Sequence, residues 1–383
     1  MKRLVIELLS IEKGKAYGFQ EYVFNLLNFL HKNREEIKAK EVIILCKDNS
    51  ENMFQKYSDK FIIKGYPYSS YAKRFWLEIT LPFRLRLTSE DLLFIPGNCS
   101  GWFKKSKELL VVHDLLYKRK DWVPSALMRW QRELYLPRSL KKADKIIAIS
   151  QFTKDDIEYY YPQTKGKIEV IHNSMNFSKF EGADVADLGY DYFLAISTNA
   201  DYKNQKTVLK AFSRYVELGG DKHLVLIGKQ SSTSESGQVY ASLPTEVKER
   251  IVWKSNISNS ELGALYKGAS CFISASKFEG LGMPVVEAMS FGLPVLLSDI
   301  LPHREVSMNQ GEYFTPSDVD TLTFKMLNLS FKRRDYAKMI RDMFSEENTS
   351  AKYIELINRV GGNFGEEVKN SYPVNNIKKH NMS

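Results

Sequence analysis

Short runs of β-branched and apolar residues, each followed by a stretch with helical spacing, occur in two successive series along this 383-residue chain. That alternation restricts the fold more than any other feature. Parallel strands need a crossover, usually a helix, between them, so the pattern specifies α/β layering. The first series predicts strands over residues 4–9, 42–45, 92–95, 109–112, 145–150 and 168–171. A Gly-containing loop over 12–18 and an amphipathic helix over 19–30 follow the first of these strands. The second series predicts strands over 192–197, 223–227, 251–253, 271–275 and 294–298, with helices over 205–217, 260–266 and 284–291. The chain is too long for one ordinary core and suits two. We expect two doubly wound, Rossmann-like domains, residues 1–180 and 181–345, with the polar stretch 173–189 as linker. The Asn-, Gly- and Lys-rich tail 361–383 is expected to be disordered.

Composition excludes several classes. Cys46, Cys99 and Cys271 are too few and too scattered for a disulfide framework or a zinc cluster, which favours a reducing compartment. The N-terminal apolar run is short and contains Glu7, so it resembles neither a signal segment nor a membrane span. The expected location is cytoplasmic, peripheral on the inner face of the cell membrane. Residues 1–180 carry 32 Lys+Arg against 21 Asp+Glu, a net +11, whereas residues 181–383 carry 23 against 25, a net −2. The first half therefore suits an anionic partner. Its charge concentrates in residues 64–86 and 117–145, with aromatics interleaved. Within the second stretch Leu127, Trp130 and Leu134 share one helical face, with Arg129 and Arg132 off it. This mixture fits the headgroup layer of an anionic membrane. The plainer alternative is a solvated basic face over core aromatics.

The segment SASKFEGLGMPVVEAMSFGLPVLLS (residues 274–298) carries the chemistry. A buried strand leads into a loop with Glu279, Gly280, Leu281 and Gly282, and Pro284 marks a helix start. The glycines let the backbone approach a ligand with no Cβ in the way. The helix start, expected at the carboxyl end of a parallel strand, forms an anion site. Glu279 and Glu287 bracket it. Glu287, placed in the first helical turn, is expected to accept ribose hydroxyls, with a diphosphate on the helix start and a sugar beside Glu279.

The pattern E-G-x-G-x-P-x-x-E-A-M-x-x-G-x-P-V resembles the signature of retaining GT-B glycosyltransferases of family 4, also called group 1. GKAYGFQEYVFNLL (14–27), VVHDL (111–115), ADKIIAISQFTKDDI (143–157), VIHNSMN (170–176), the turn Tyr202-Lys203-Asn204, LVLIGK (224–229) and LPHREVSMNQGEYFTP (301–316) resemble the family's other blocks. The resemblance implies two Rossmann-like domains facing across a cleft, the first for the acceptor and the second for a nucleotide-sugar. It implies that a C-terminal helix, 346–360, rejoins the first domain. It implies catalytic roles for Glu279, Lys203 and His113, and donor contacts from Glu287, Gly280, Leu281, Gly282, Met283, Gly18 and Asn204. It also implies a metal-independent transfer with no cofactor beyond the donor substrate.

The function expected from this resemblance is transfer of a hexosyl or deoxyhexosyl unit to a lipid-linked saccharide in O-antigen, lipopolysaccharide or capsule synthesis. The acceptor would be saccharide or polyprenyl-diphosphate-linked; nucleic acid is not expected. Two alternatives stand beside it. One is a non-catalytic saccharide- or nucleotide-binding subunit on the same scaffold. The other is a dinucleotide-dependent oxidoreductase, which the spacing of Gly14 and Gly18 disfavours. No basic residue precedes Lys203 within 197–201, so Arg304 or Lys277 is the candidate second cation. Asp114 fits a loop brace better than a catalyst.

Overall fold

A computed structural model describes residues 1–11, 17–68, 71–97, 99–119, 122, 126–196, 198, 200–328 and 332–362. The first seven strands are β1 (Arg3–Glu7), β2 (Glu41–Lys47), β3 (Ile62–Tyr66), β4 (Leu92–Ile95), β5 (Lys107–Val112), β6 (Lys145–Ala148) and β7 (Ile168–Val170). They form one sheet in the order β3-β2-β1-β4-β5-β6-β7. Six more follow: β8 (Tyr192–Ile196), β9 (His223–Ile227), β10 (Ile251–Lys254), β11 (Cys271–Ser274), β12 (Val295–Ser298) and β13 (Glu312–Phe314). They form a second sheet, β10-β9-β8-β11-β12-β13. Every ladder pair is parallel. The crossovers use α1 (Tyr17–Lys32), α2 (Tyr71–Arg84), α3 (Ala126–Lys142) and α4 (Gln151–Tyr160) in the first unit. The second unit uses α5 (Gln205–Glu217), α6 (Glu235–Ser242), α7 (Thr245–Glu249), α8 (Asn259–Gly268), α9 (Met283–Ser290) and α10 (Leu301–Val306). Helices α11 (Val319–Asn328), α12 (Ala337–Phe344) and α13 (Glu346–Gly361) complete the chain. Among the described residues no helix is long and apolar enough to cross a membrane.

Strands buried on both faces explain the continuous apolar runs. Leu4 and Ile6 face one core and Val5 the other, and the same period-2 split places Leu109 and Val111 opposite Leu110 and Val112. One cluster runs through both units, from Ile6, Phe94 and Tyr22 to Leu194, Phe272 and Met289. Helix α13 joins it: Tyr353 is buried and its hydroxyl accepts from Tyr22 at 3.1 Å. Asn358 on the same helix donates to the Glu36 carbonyl and accepts from the Lys38 amide.

The structure adds to these expectations. The stretch 173–189 connects the two units and packs against them. It holds a short 3₁₀ turn, Phe177–Phe180, and buries Met175, Phe180 and Ala183. Phe180 packs edge-on against Tyr266 and Phe291, which pins the connector to α8 and α9. Helix α1 begins at Tyr17, so Gly18 lies in its first turn and not in a preceding loop. Residues 12–16 of that loop, Gly14 among them, and the tail 363–383 lie outside the described residues.

The starts of the central strands β1 and β4 are locked together by a buried charge pair. The Arg3 guanidinium meets both oxygens of the fully buried Asp91, at 2.9 and 2.6 Å, and caps the Leu85 and Arg86 carbonyls. Removing one partner strands the other charge, which costs about 3 kcal/mol or more. We predict that Asp91→Ala lowers the unfolding free energy by that order, read as a lower urea midpoint, and that Arg3→Met/Asp91→Leu recovers much of the loss. Unfolding curves followed by circular dichroism decide this, and an unchanged midpoint for Asp91→Ala would refute it.

Candidate active site

The site is built from turns at the carboxyl ends of β8, β11 and β12. After β11 the chain bends through residues 275–282, and Gly282 caps α9 with φ +100°. That left-handed conformation strains any residue with a Cβ, which accounts for glycine here. Pro284 lies in the first turn of α9, where its missing N–H costs nothing. After β8, the 3₁₀ turn Asp201–Lys203 ends at Asn204 with φ +53°. Asn204 is 1% exposed; its amide donates to the Ala275 carbonyl at 3.0 Å and accepts from Thr207 at 2.9 Å. The Lys277 N–H donates to the Tyr202 carbonyl at 2.7 Å. The two turns are thereby tied together, and Asn204 braces them with a side chain occupied by protein.

This stitching brings Lys203 onto Glu279. The ammonium donates to both carboxylate oxygens, at 2.7 and 2.8 Å, and Ser276 donates to one of them at 2.7 Å. Both side chains are largely buried. Burial alone would push the Glu279 pKa up, but Lys203 outweighs it and holds the carboxyl below the usual range. Burial likewise works to lower the Lys203 pKa, and Glu279 reverses the sign and raises it. The pair is therefore ionic at neutral pH.

Beneath the loop lies His303, fully buried. Its Nδ1 sits 3.0 Å from the Ser298 carbonyl, which can only accept, so Nδ1 carries the proton. Nε2 then accepts from Ser274 at 3.3 Å. Ser298 in turn donates to the Ser276 carbonyl at 2.5 Å. Burial depresses the His303 pKa, which keeps the imidazole neutral. This chain of contacts ends at Ser276, the residue that braces Glu279.

Glu287 lies in the second turn of α9 rather than the first, and it shares no partner with Glu279 among the described residues. It accepts from Lys179 at 2.7 Å and from the Tyr266 hydroxyl at 2.8 Å. Lys179 also pairs with Glu21 on α1 and so bridges the two units. Burial raises the Glu287 pKa, with Lys179 opposing. A carboxylate offers about four acceptor positions. Two are taken by these protein donors.

The first unit closes over the loop. Half-buried His113, at the end of β5, holds the Pro96 carbonyl at 2.7 Å and stands edge-on to Phe19 and Tyr22. Burial lowers its pKa, so it is neutral near pH 7. A Cβ on Gly280 would fall 2.3 Å from the His113 carbonyl oxygen. The close approach that Gly280 permits is therefore to the opposite unit's backbone. Leu281 is buried in the core, and Met283 opens α9 half-buried. Gly18 is exposed, and among the described residues none would touch a Cβ placed on it. Asp114 accepts from the Leu116 N–H at 2.9 Å, as a loop brace does. Arg304 pairs with Asp299 and lies over Tyr313.

Ser276, His303, Lys179 and Tyr266 were not singled out from sequence. Lys179 stands 108 positions from its carboxylate, and no local spacing reports such a pair. His303 falls inside a family block, which was its one available signal.

The model for glycosyl transferases group 1 matches residues 179–344, and that for Glycosyltransferase Family 4 matches residues 18–179. The fold is GT-B, and the chain belongs to the group 1, family 4 glycosyltransferases. It is 28% identical over 215 residues to the O-antigen chain mannosyltransferase RfbU of Salmonella typhimurium, covering 55% of this chain and 57% of that one. It is 26% identical over 233 residues to the serotype-specific mannosyltransferase WbdA of Escherichia coli, covering 55% of this chain and 28% of that one. The matches thus span about half, or less, of these relatives. Sucrose-phosphate synthase from Thermosynechococcus elongatus superposes with a TM-score of 0.71 at 15% identity, over 94% of this chain and 99% of that one.

The ion pair fixes a pH prediction. A carboxylate held low contributes stability above its unfolded pKa of about 4.3 and loses it as pH falls through the lowered value. A lysine held high contributes below about 10.4 and loses it as pH rises through the raised value. The difference in melting temperature between the parent and Lys203→Met/Glu279→Gln, which lacks both titrating groups, is expected to stay flat between these limits. A difference that changes steeply near pH 7 would contradict the assignment.

Proposed function

We propose that this chain is a retaining glycosyltransferase that moves a hexosyl or deoxyhexosyl unit from a nucleotide-diphosphate sugar to a saccharide acceptor. A mannosyl unit is the first candidate, because both relatives named above are mannosyltransferases. The observation that carries the reading is the ionic Lys203–Glu279 pair beside a glycine bend and a helix start. Departure of a nucleoside diphosphate builds negative charge on phosphate. Lys203 and the positive end of the α9 dipole would oppose that charge more strongly in the transition state than in the ground state. Glu287 would take the ribose hydroxyls, Glu279 would hold Lys203 and meet the sugar, and His113 would face the sugar from the acceptor unit as a neutral hydrogen-bonding group. Gly280, Leu281, Gly282 and Met283 would offer backbone N–H groups, with no metal required.

Incubation with UDP-, GDP-, dTDP- and ADP-sugars plus a polyprenyl-diphosphate saccharide should release nucleoside diphosphate from one donor class. The product should keep the donor's anomeric configuration by NMR. Loss of one preorganised charge of this kind typically lowers kcat by about 100-fold, the result expected for Lys203→Ala. Glu287→Ala should chiefly raise the donor KM. No release from any donor, or a parent-like rate for Lys203→Ala, would end this reading.

The acceptor is proposed to be lipid-linked and reached at an anionic membrane. Phe83, Phe103, Leu127 and Trp130 are each about half or more exposed. Phe83 and Phe103 touch edge-on at 5.5 Å, Lys105 lies over Phe83, and Arg138 lies over Trp102. Solvent-facing aromatics with cations among them suit the headgroup layer. Flotation with phosphatidylglycerol vesicles should recover more protein than with neutral vesicles, and Phe103→Asp/Trp130→Asp should cancel the gain. Equal recovery from both vesicles at low salt would remove the idea.

A further inference from the structure

The bend carrying Glu279 is held from the opposite unit. The Ser150 hydroxyl, fully buried, donates to the Gly280 carbonyl at 2.6 Å. The Thr153 hydroxyl lies 3.3 Å from both the Gly280 and the His113 carbonyls and has one proton to share between them. Ser150 is the N-cap of α4 and Thr153 its third residue, whose N–H donates back to Ser150 at 3.0 Å. The next two orphan amides of α4 are capped from across the cleft. Glu305, on α10, accepts from the Gln151 N–H at 2.7 Å and the Phe152 N–H at 3.2 Å. A helix whose first-turn amides are met by another unit's carboxylate gains both hydrogen bonds and a favourable dipole contact. His172 also meets Glu305, at 2.8 Å.

The residue before Glu279 adds an apolar peg. Phe278 is 4% exposed and packs on Phe152 and Trp122 of the first unit, with Arg119 over its ring. Gly280 permits this seating, since any Cβ there would meet the His113 carbonyl.

We infer that the start of α4 is a dock that sets the geometry of the Phe278–Gly282 bend, with Ser150, Thr153 and Glu305 as positioning residues. The site is then assembled across the cleft, and the Lys203–Glu279 pair reaches its working position when the units are engaged. The inference rests on the reading of this site as a glycosyltransferase centre. It goes beyond that reading by assigning control of the bend to the acceptor-side unit. Ser150 and Thr153 act through the bend and touch no reacting atom.

The test uses the full chain and Ser150→Ala/Thr153→Val. Hydrogen exchange of peptides spanning residues 275–283 should speed up by about tenfold, the equivalent of one buried hydrogen bond lost. Affinity for the nucleoside monophosphate, whose ribose Glu287 would hold, should stay within about twofold, while kcat falls by about tenfold or more. Ser150→Thr should restore both readings. Should the double variant not fold, Glu305→Gln, which keeps the shape and removes the charge at α4, gives the same pair of measurements. Exchange at the parent level, or faster exchange with a parent-like kcat, overturns the inference. A parent chain that turns over no donor overturns the glycosyltransferase reading instead. The exchange measurement would then still decide the dock.

Discussion

The salt bridge between Lys203 and Glu279 is the constraint on which the rest of the site depends. Two charges taken from water are tolerated only when they meet each other in good geometry and their remaining hydrogen-bonding positions are filled. That requirement reaches outward. Lys203 must sit on a fixed turn, which Asn204 supplies by bonding the strand end at Ala275. Glu279 must sit on a fixed bend, which Ser276, Ser298 and His303 underpin. The resulting cation is held in place before any ligand arrives, so no reorganisation is needed when charge develops.

The second theme is continuity between the halves. Two parallel sheets that each bury both faces would fold as separate bodies if nothing crossed between them. Here an apolar cluster runs through both, α13 returns to α1, and Lys179 ties Glu21 to Glu287. Polar contacts at the start of α4 reach Gly280 and apolar contacts reach Phe278, the residues on either side of Glu279. Interface and site therefore meet in one bend.

Much of the fold was legible in the sequence, and the reasons are physical. Strands such as Leu92–Ile95 and His223–Ile227 stood out because burial on both faces leaves no polar interruption. Ile62–Tyr66 escaped notice because it is an edge strand carrying Lys64 and Gly65, and Glu312–Phe314 because it opens on a charged residue and has no β-branched or alternating pattern. The bend was legible in outline, since Gly282 and Pro284 have local backbone reasons to be there. Its neighbours were not. Gly280 announces a close approach without saying to what, and the answer, the His113 carbonyl, lies far away in the chain. Lys179 was lost in a stretch that looks polar and unpatterned, because pairing across the fold leaves no mark on local periodicity. Glu287 was placed one turn early because the helix starts at Met283 and its fifth position already belongs to the second turn.

The central claim is that Lys203, fixed by Glu279, forms the cationic seat of a nucleotide's diphosphate. Calorimetric titration with a nucleoside diphosphate and its monophosphate, in the parent and in Lys203→Met, tests it most directly. The account predicts that the parent prefers the diphosphate and that this preference largely vanishes in the variant, while monophosphate binding changes little. An equal preference in both proteins would contradict it.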